Sequence, residues 1–166
     1  MGADERVDVV DEDDRVIDIV SRSEIRRRNL LHRCTYVLVR RRDGRIHVHR
    51  RTDTKDVDPG AYDMLPGGVV AAGESYDEGA ARELAEELGI TAVPERAFVH
   101  RYSGLDGEAW GAVYTVAWDG PIVEQPEEVA GSEWMTPDEL ERALAEREFC
   151  ADSREIYARL RAEGYV

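Results

Sequence analysis

The stretch GGVVAAGESYDEGAARELAEELGI, residues 67–90, decides how this chain is read. Its second half is helical by local rules. Ser75 with Glu78 three residues on makes a capping box, in which each side chain satisfies a backbone N–H at the helix start. Ala80, Ala81, Leu84, Ala85 and Leu88 recur at helical spacing and mark an apolar face. Gly89 is placed to end the helix in a left-handed cap. The acids do not fit so simply. Glu83, Glu86 and Glu87 crowd the last turns, where the helix dipole disfavours negative charge. Glu86 and Glu87 lie three and four residues after Glu83, so the Cβ atoms sit about 5–6 Å apart on one face. Such carboxylates repel unless a cation lies among them. A hard divalent ion such as Mg²⁺ takes oxygen ligands of this kind and keeps waters for a substrate phosphate. A solvated acidic face is the plainer alternative for a charge run.

The neighbouring residues favour the metal. Gly68 is followed by five residues, Glu74, seven residues, and then Arg82-Glu83-Leu84-x-Glu86-Glu87-x-Gly89-Ile90. This spacing resembles the complete Nudix box, over residues 68–90, in the expected loop-then-helix setting. The resemblance implies an α/β fold: an α/β/α sandwich with a mixed sheet and helices on both faces. It also implies a hydrolase that cleaves a diphosphate linked to another moiety with Mg²⁺ or Mn²⁺. Carried over by position, Glu83 and Glu87 would bind metal, and Glu86 would join them or hold a water beside the ion. A backbone carbonyl near Gly67 would add a ligand. Arg82 would orient the carboxylates, and Glu74 would tie loop to helix. Gly68 and Gly89 are structural in the motif. Glu83 or Glu86 would take the proton of the attacking water. Members of the family also draw this base from a loop outside the box, and Glu108, Glu124, Glu127 and Glu128 all stay open here.

Outward from the box, RVDVV and RVIDIV flank DEDD and read as an N-terminal hairpin over about residues 5–20. SEIRRRNLL is a linker or short helix. CTYVLVRRRDGRIHVHRR reads as two strands joined at Asp43-Gly44, a strong hairpin signal. A long Gly/Pro/Asp-rich loop precedes the box, and loops of this length inside a domain are usually functional. AVPERAFVHRYSG and AWGAVYTVAW read as strands. GSEWMTPDELERALAERE reads as a strand and then a helix capped by Thr136 and Glu139, and SREIYARLRAEG as a terminal helix. This order favours helices packed on a mixed sheet. The expectation is one domain over residues 1–166.

Composition narrows the function. The chain is 42% hydrophobic and 35% charged, with net charge −14. That excludes general nucleic-acid binding, which needs a basic surface. Yet residues 22–51 carry eleven arginines, a local basic region able to attract a small anion. No apolar run is long enough to cross a membrane. Two cysteines without a CxxC pair, and an N-terminus without a basic-then-apolar region, point to a reducing, cytoplasmic setting. The sheet edge offered by the hairpin allows a homodimer as well as a monomer.

The segments LHRCTYVLV, HRRTDTKDVDPGAYD and GGVV resemble the isopentenyl diphosphate isomerase branch of the same superfamily. Arg51 and Lys55 match that branch's diphosphate-contacting basic pair, and His32 matches one of its metal-binding histidines. The departures weigh more. Gly67 stands where the isomerase needs a cysteine acid, and Val69 replaces a second metal-binding histidine. His32 is therefore read as a hydrogen-bonded structural histidine. His47 and His49 alternate on a strand and are read as exposed. Trp110, Trp118 and Trp134 are read as core residues, and Tyr62 and Tyr102, near loops, as candidates to stack on a base. The leading expectation is a metal-dependent diphosphate hydrolase acting on a small nucleotide-type substrate. An isomerase-like proton shuttle and a non-catalytic sensor of a diphosphate ligand are the alternatives.

Overall fold

A computed structural model of the chain describes residues 2–166. Strands β1 (Arg6–Val10) and β2 (Val16–Ser21) pair antiparallel across the acidic turn. The short helix α1 (Arg22–Arg28) follows, capped by the Ser21 hydroxyl, which accepts from the Glu24 N–H. Strands β3 (His32–Arg40), β4 (Ile46–Arg51), β5 (Tyr62–Asp63) and β6 (Gly67–Val69) lead to helix α2 (Tyr76–Leu88). The hairpin β7 (Glu95–Gly104) and β8 (Gly107–Ala117) comes next, then β9 (Val129–Met135) and helices α3 (Pro137–Glu146) and α4 (Ala151–Ala162). Both capping boxes form as read, at Ser75/Glu78 and at Thr136/Glu139.

Strand β3 is the hub. It pairs parallel with β8 from His32↔Ala109 to Arg40↔Ala117 and antiparallel with β6 at Cys34–Tyr36. Residues Thr35–Val39 are all buried, the pattern of a strand covered on both faces. Tyr36 and Leu38 pack with Leu140, Ile156 and Leu160 of α3 and α4. Val37 and Val39 face the other way, against Ala80, Leu84 and Leu88 of α2. The sheet is mixed, with helices on both faces.

The turn at Asp43-Gly44 forms, but the strands it joins separate at once. They pair only at Arg40↔Ile46. The short strand β6, which lay hidden in the long loop, occupies the flank of β3, so β4 runs instead along β9 and β5. A turn signal fixes the reversal of the chain but not how far the pairing extends.

His47 and His49 are not exposed. Both are buried on β4, stacked with ring centroids 6.0 Å apart. Trp134 meets the His47 ring edge-on at 5.3 Å, and the Arg41 guanidinium lies 4.2 Å over Trp134. Alternation placed the two rings on one face, but the cover comes from a strand some ninety positions away. Burial holds both imidazoles down to a pKa of about 3. A base with a depressed folded pKa contributes stability that is complete above its unfolded pKa of about 6.5 and is lost as pH falls toward the folded value. His47→Leu should therefore flatten stability against pH between 6.5 and 4 by up to about 1.4 kcal/mol per pH unit, measured by urea unfolding. An unchanged slope would show that His47 carries no such linkage.

Candidate metal centre and catalytic cavity

Helix α2 buries Gly79, Ala80, Glu83, Leu84, Glu87 and Leu88. Ala81 and Ala85, assigned to the apolar face from spacing, are exposed instead. The apolar line 80/84/88 seats the helix on β3 and β8, and the adjacent line 79/83/87 turns toward the loop and β6. Two acids thus occupy buried helix positions while two alanines face solvent.

The loop is held against these acids by one side chain. The Arg82 guanidinium donates to both Glu74 oxygens at 2.8 and 3.0 Å, to Glu83 at 2.8 Å, to Glu86 at 3.3 Å and to the Val69 carbonyl at 3.3 Å. Glu74 also accepts from the Ala71 N–H at 2.9 Å. The glycines permit the approach. A Cβ at Gly68 would stand 2.8 Å from a Glu83 oxygen, and one at Gly67 would collide with the Thr35 carbonyl. Gly89, at φ 66°, ends the helix in the left-handed region.

Burial raises the pKa of Glu83, and it pushes Glu87 up to about 8, with the Glu83 charge adding to the shift and Lys55 opposing it. Two buried carboxylates that favour protonation are acids in want of a positive partner. Glu83, Glu86, Glu87 and Gly67 line one cavity, and together they offer the all-oxygen donor set that suits a hard divalent ion.

That cavity, about 490 Å³, is lined by both acidic and basic side chains. Arg51 and Lys55 line it on the cationic side. Arg51 donates twice to the Val57 carbonyl, at 3.2 and 2.9 Å, and Lys55 pairs with Glu128. Another part is polar, with Tyr36 donating to Asp152 at 2.9 Å and Tyr102 to Asp106 at 2.7 Å. There the ligand atoms of Asp58, Cys150 and Asp152 lie within 4.8 Å of one another. Burial raises the Asp152 carboxyl to a pKa of about 6, with nearby Asp63 adding to it.

Of the loop acids, Glu127 and Glu128 line the cavity. Glu108 is tied to Arg101 at 2.7 Å, Glu124 is bonded to Ser132, and neither is among the cavity-lining residues. Tyr102 does line it but is buried with its hydroxyl committed to Asp106, and Tyr62 packs on Phe149 outside it, so neither presents a free face to a base. His32 Nδ1 lies 2.9 Å from the Leu30 carbonyl and Nε2 lies 3.4 Å from Cys34 Sγ, and burial lowers its pKa to about 4. Sequence reasoning missed Arg22, Arg26, Asp58, Asp106 and Asp152 as cavity residues. The arginine-rich segment was a signal for the first two. The three aspartates carried none, because separate loops and α4 bring them together.

Residues 30–160 match the family model of the NUDIX domain. A Nudix hydrolase of Streptomyces coelicolor is 48% identical over 163 residues, covering 96% of this chain and 90% of its own. The Nudix hydrolase YfcD of Escherichia coli strain K12 is 41% identical over 141 residues, covering 84% and 78%. The crystal structure of DR0079 from Deinococcus radiodurans superposes with a TM-score of 0.77 at 28% identity, covering 93% of this chain and 98% of that one. The MutT protein of Methanosarcina mazei superposes with a TM-score of 0.69 at 28% identity, over 80% and 94%.

Proposed function

The chain belongs to the Nudix hydrolase family, and from that premise we propose that it hydrolyses the diphosphate bond of a nucleoside di- or triphosphate, or of a related nucleotide-linked small molecule, with Mg²⁺ or Mn²⁺. The observation that carries this reading is the buried pair Glu83 and Glu87 lining the same cavity as Arg51 and Lys55. The acids attract a cation, and the basic side chains attract the phosphates.

In this reading Glu83, Glu87 and the Gly67 carbonyl hold the metal, with Arg82 fixing the carboxylates from the loop side. The ion, when bound, neutralises phosphate oxygens and lowers the pKa of a water. Glu86, whose side chain is half exposed, accepts the proton of the attacking water. Glu127 is the loop acid in reserve, since it is exposed and lines the cavity while Glu128 is engaged by Lys55. Arg51 and Lys55 orient the diphosphate, and Lys55 exchanges Glu128 for a phosphate oxygen as substrate enters. The polar stretch near Tyr36, Asp58, Asp106 and Asp152 suits the hydroxyl and amino donors of a nucleoside better than an apolar prenyl chain. No helix among the described residues is long and apolar enough to cross a membrane. The free thiols Cys34 and Cys150 accord with a reducing, cytoplasmic setting.

A product-release panel tests the proposal, reading phosphate directly, pyrophosphate after added pyrophosphatase and phosphomonoesters after added phosphatase, on nucleoside di- and triphosphates, nucleotide sugars, dinucleotides and prenyl diphosphates with Mg²⁺, Mn²⁺ or EDTA. Release from nucleotide substrates that EDTA abolishes is expected. Binding without turnover on every nucleotide, or undiminished release in EDTA, would overturn it. Glu86→Gln should lower kcat by about 10²–10⁴-fold with little change in KM, whereas a loss confined to Glu127→Gln would move the base to the loop.

A further inference from the structure

The cationic wall has more members than one diphosphate requires. Arg22 and Arg26 stand one turn apart on α1, and both line the cavity. The Nε atom of each is buried without a hydrogen-bond partner. A guanidinium cannot shed its proton to escape that cost, so such donors call for an acceptor. Asp56 serves both, and loosely: its oxygens lie 3.4 Å from Arg22 and 3.7 Å from Arg26.

We propose that Arg22 and Arg26 form a second anion-binding subsite, which takes a phosphate group of the substrate additional to the diphosphate held by Arg51 and Lys55. This rests on the hydrolase reading above. The two basic pairs come from different elements and keep different partners. Arg51 ends β4 and bonds the Val57 carbonyl, and Lys55 follows it and pairs with Glu128, whereas Arg22 and Arg26 stand on α1 and face Asp56. An Arg26 Nη1 reaches to 4.0 Å from the position a Cβ would take on Gly107, at the turn between β7 and β8. Helix α1 also ends before residue 30, where the family match begins, so the arginines come from a segment outside the matched domain. Guanidinium groups bind phosphate in bidentate fashion, and a phosphate arriving between them supplants the single Asp56 carboxylate. The substrate class narrows to nucleotides with an extra phosphate, either at the end of a triphosphate or on the sugar.

The alternative is structural: the arginines only pin the loop that carries Asp56. Steady-state kinetics of wild type, Arg22→Ala/Arg26→Ala and Asp56→Asn separate the two. The paired substrates are a nucleoside diphosphate, the matching triphosphate and a diphosphate carrying a 3′-phosphate. The arginine variant should raise KM about tenfold or more for at least one of the extra-phosphate substrates and change it less than about threefold for the plain diphosphate. Which of the two responds identifies the source of the phosphate. Asp56→Asn should lower that KM or leave it unchanged. Equal effects on all three substrates, no effect on any, or an Asp56→Asn variant that raises KM as the arginine variant does would overturn the subsite. A second measurement needs neither turnover nor the double variant. Inorganic triphosphate against pyrophosphate, or adenosine 3′-phosphate 5′-diphosphate against ADP, should give the larger rise in Tm of metal-free wild type, and Arg26→Gln should erase that difference; equal shifts within both pairs in wild type would sink the proposal. Wild type that turns over no nucleotide refutes the hydrolase reading instead, and this shift still decides the subsite.

Discussion

Glu87→Gln is expected to abolish turnover and, at the same time, to make the metal-free protein more stable. The side chain is 7% exposed, and burial with the Glu83 charge beside it pushes its pKa up to about 8. An acid with a raised folded pKa leaves apo stability intact below its unfolded pKa of about 4.3 and reduces it as pH rises through the folded value. Gln has the same shape and no such loss, so at pH 8.5 in EDTA the variant should melt above wild type. The metal response should reverse the order. A ligand at a hundredfold excess over its Kd stabilises by about 2.7 kcal/mol, roughly 5–10 °C for a chain of this size. Wild type should show that shift with Mg²⁺, and Glu87→Gln should lose most of it along with about 10³-fold or more in kcat/KM. Glu83→Gln should do the same to activity and shift. Thermal scans with and without Mg²⁺ check this directly: a full Mg²⁺ shift in both variants would remove the metal site from these residues.

Arg82→Ala should be the most destabilising single change in the motif. The guanidinium, 27% exposed, reaches three carboxylates and the Val69 carbonyl. Its removal leaves Glu83 buried beside Glu87 without its ion-pair partner and unties the loop from α2. Breaking a buried pair costs about 3–5 kcal/mol, and partial exposure reduces this to about 2–4 kcal/mol, measured by urea unfolding. Arg82→Lys should recover only part, because an ammonium keeps the charge but cannot span Glu74 and Glu83 in a planar fork. A loss under about 0.5 kcal/mol in Arg82→Ala would mean the network is ornamental. The contrast is Arg15–Asp13, 3.9 Å apart with both side chains about three-quarters exposed, the kind of pair that contributes little.

The sequence by itself determined the helix of residues 76–88, its caps, the three acids, the alternating strands and the family. These signals lie within one contiguous stretch of chain: a capping hydroxyl meets its own helix's N–H, periodicity reports one element's own faces, and the family's box runs unbroken from Gly68 to Ile90. It placed Ala81 and Ala85 inside and His47 and His49 outside, and both are reversed. It joined β3 to β4 as a full hairpin, although β6 claims that flank of β3. It did not bring Arg22, Asp58 and Asp152 to the cavity of Glu83 and Glu87. In each case the deciding contact lies between segments remote in the chain. Burial, pKa and convergence on a cavity depend on what packs across from a residue, and only the closed tertiary structure supplies that neighbour.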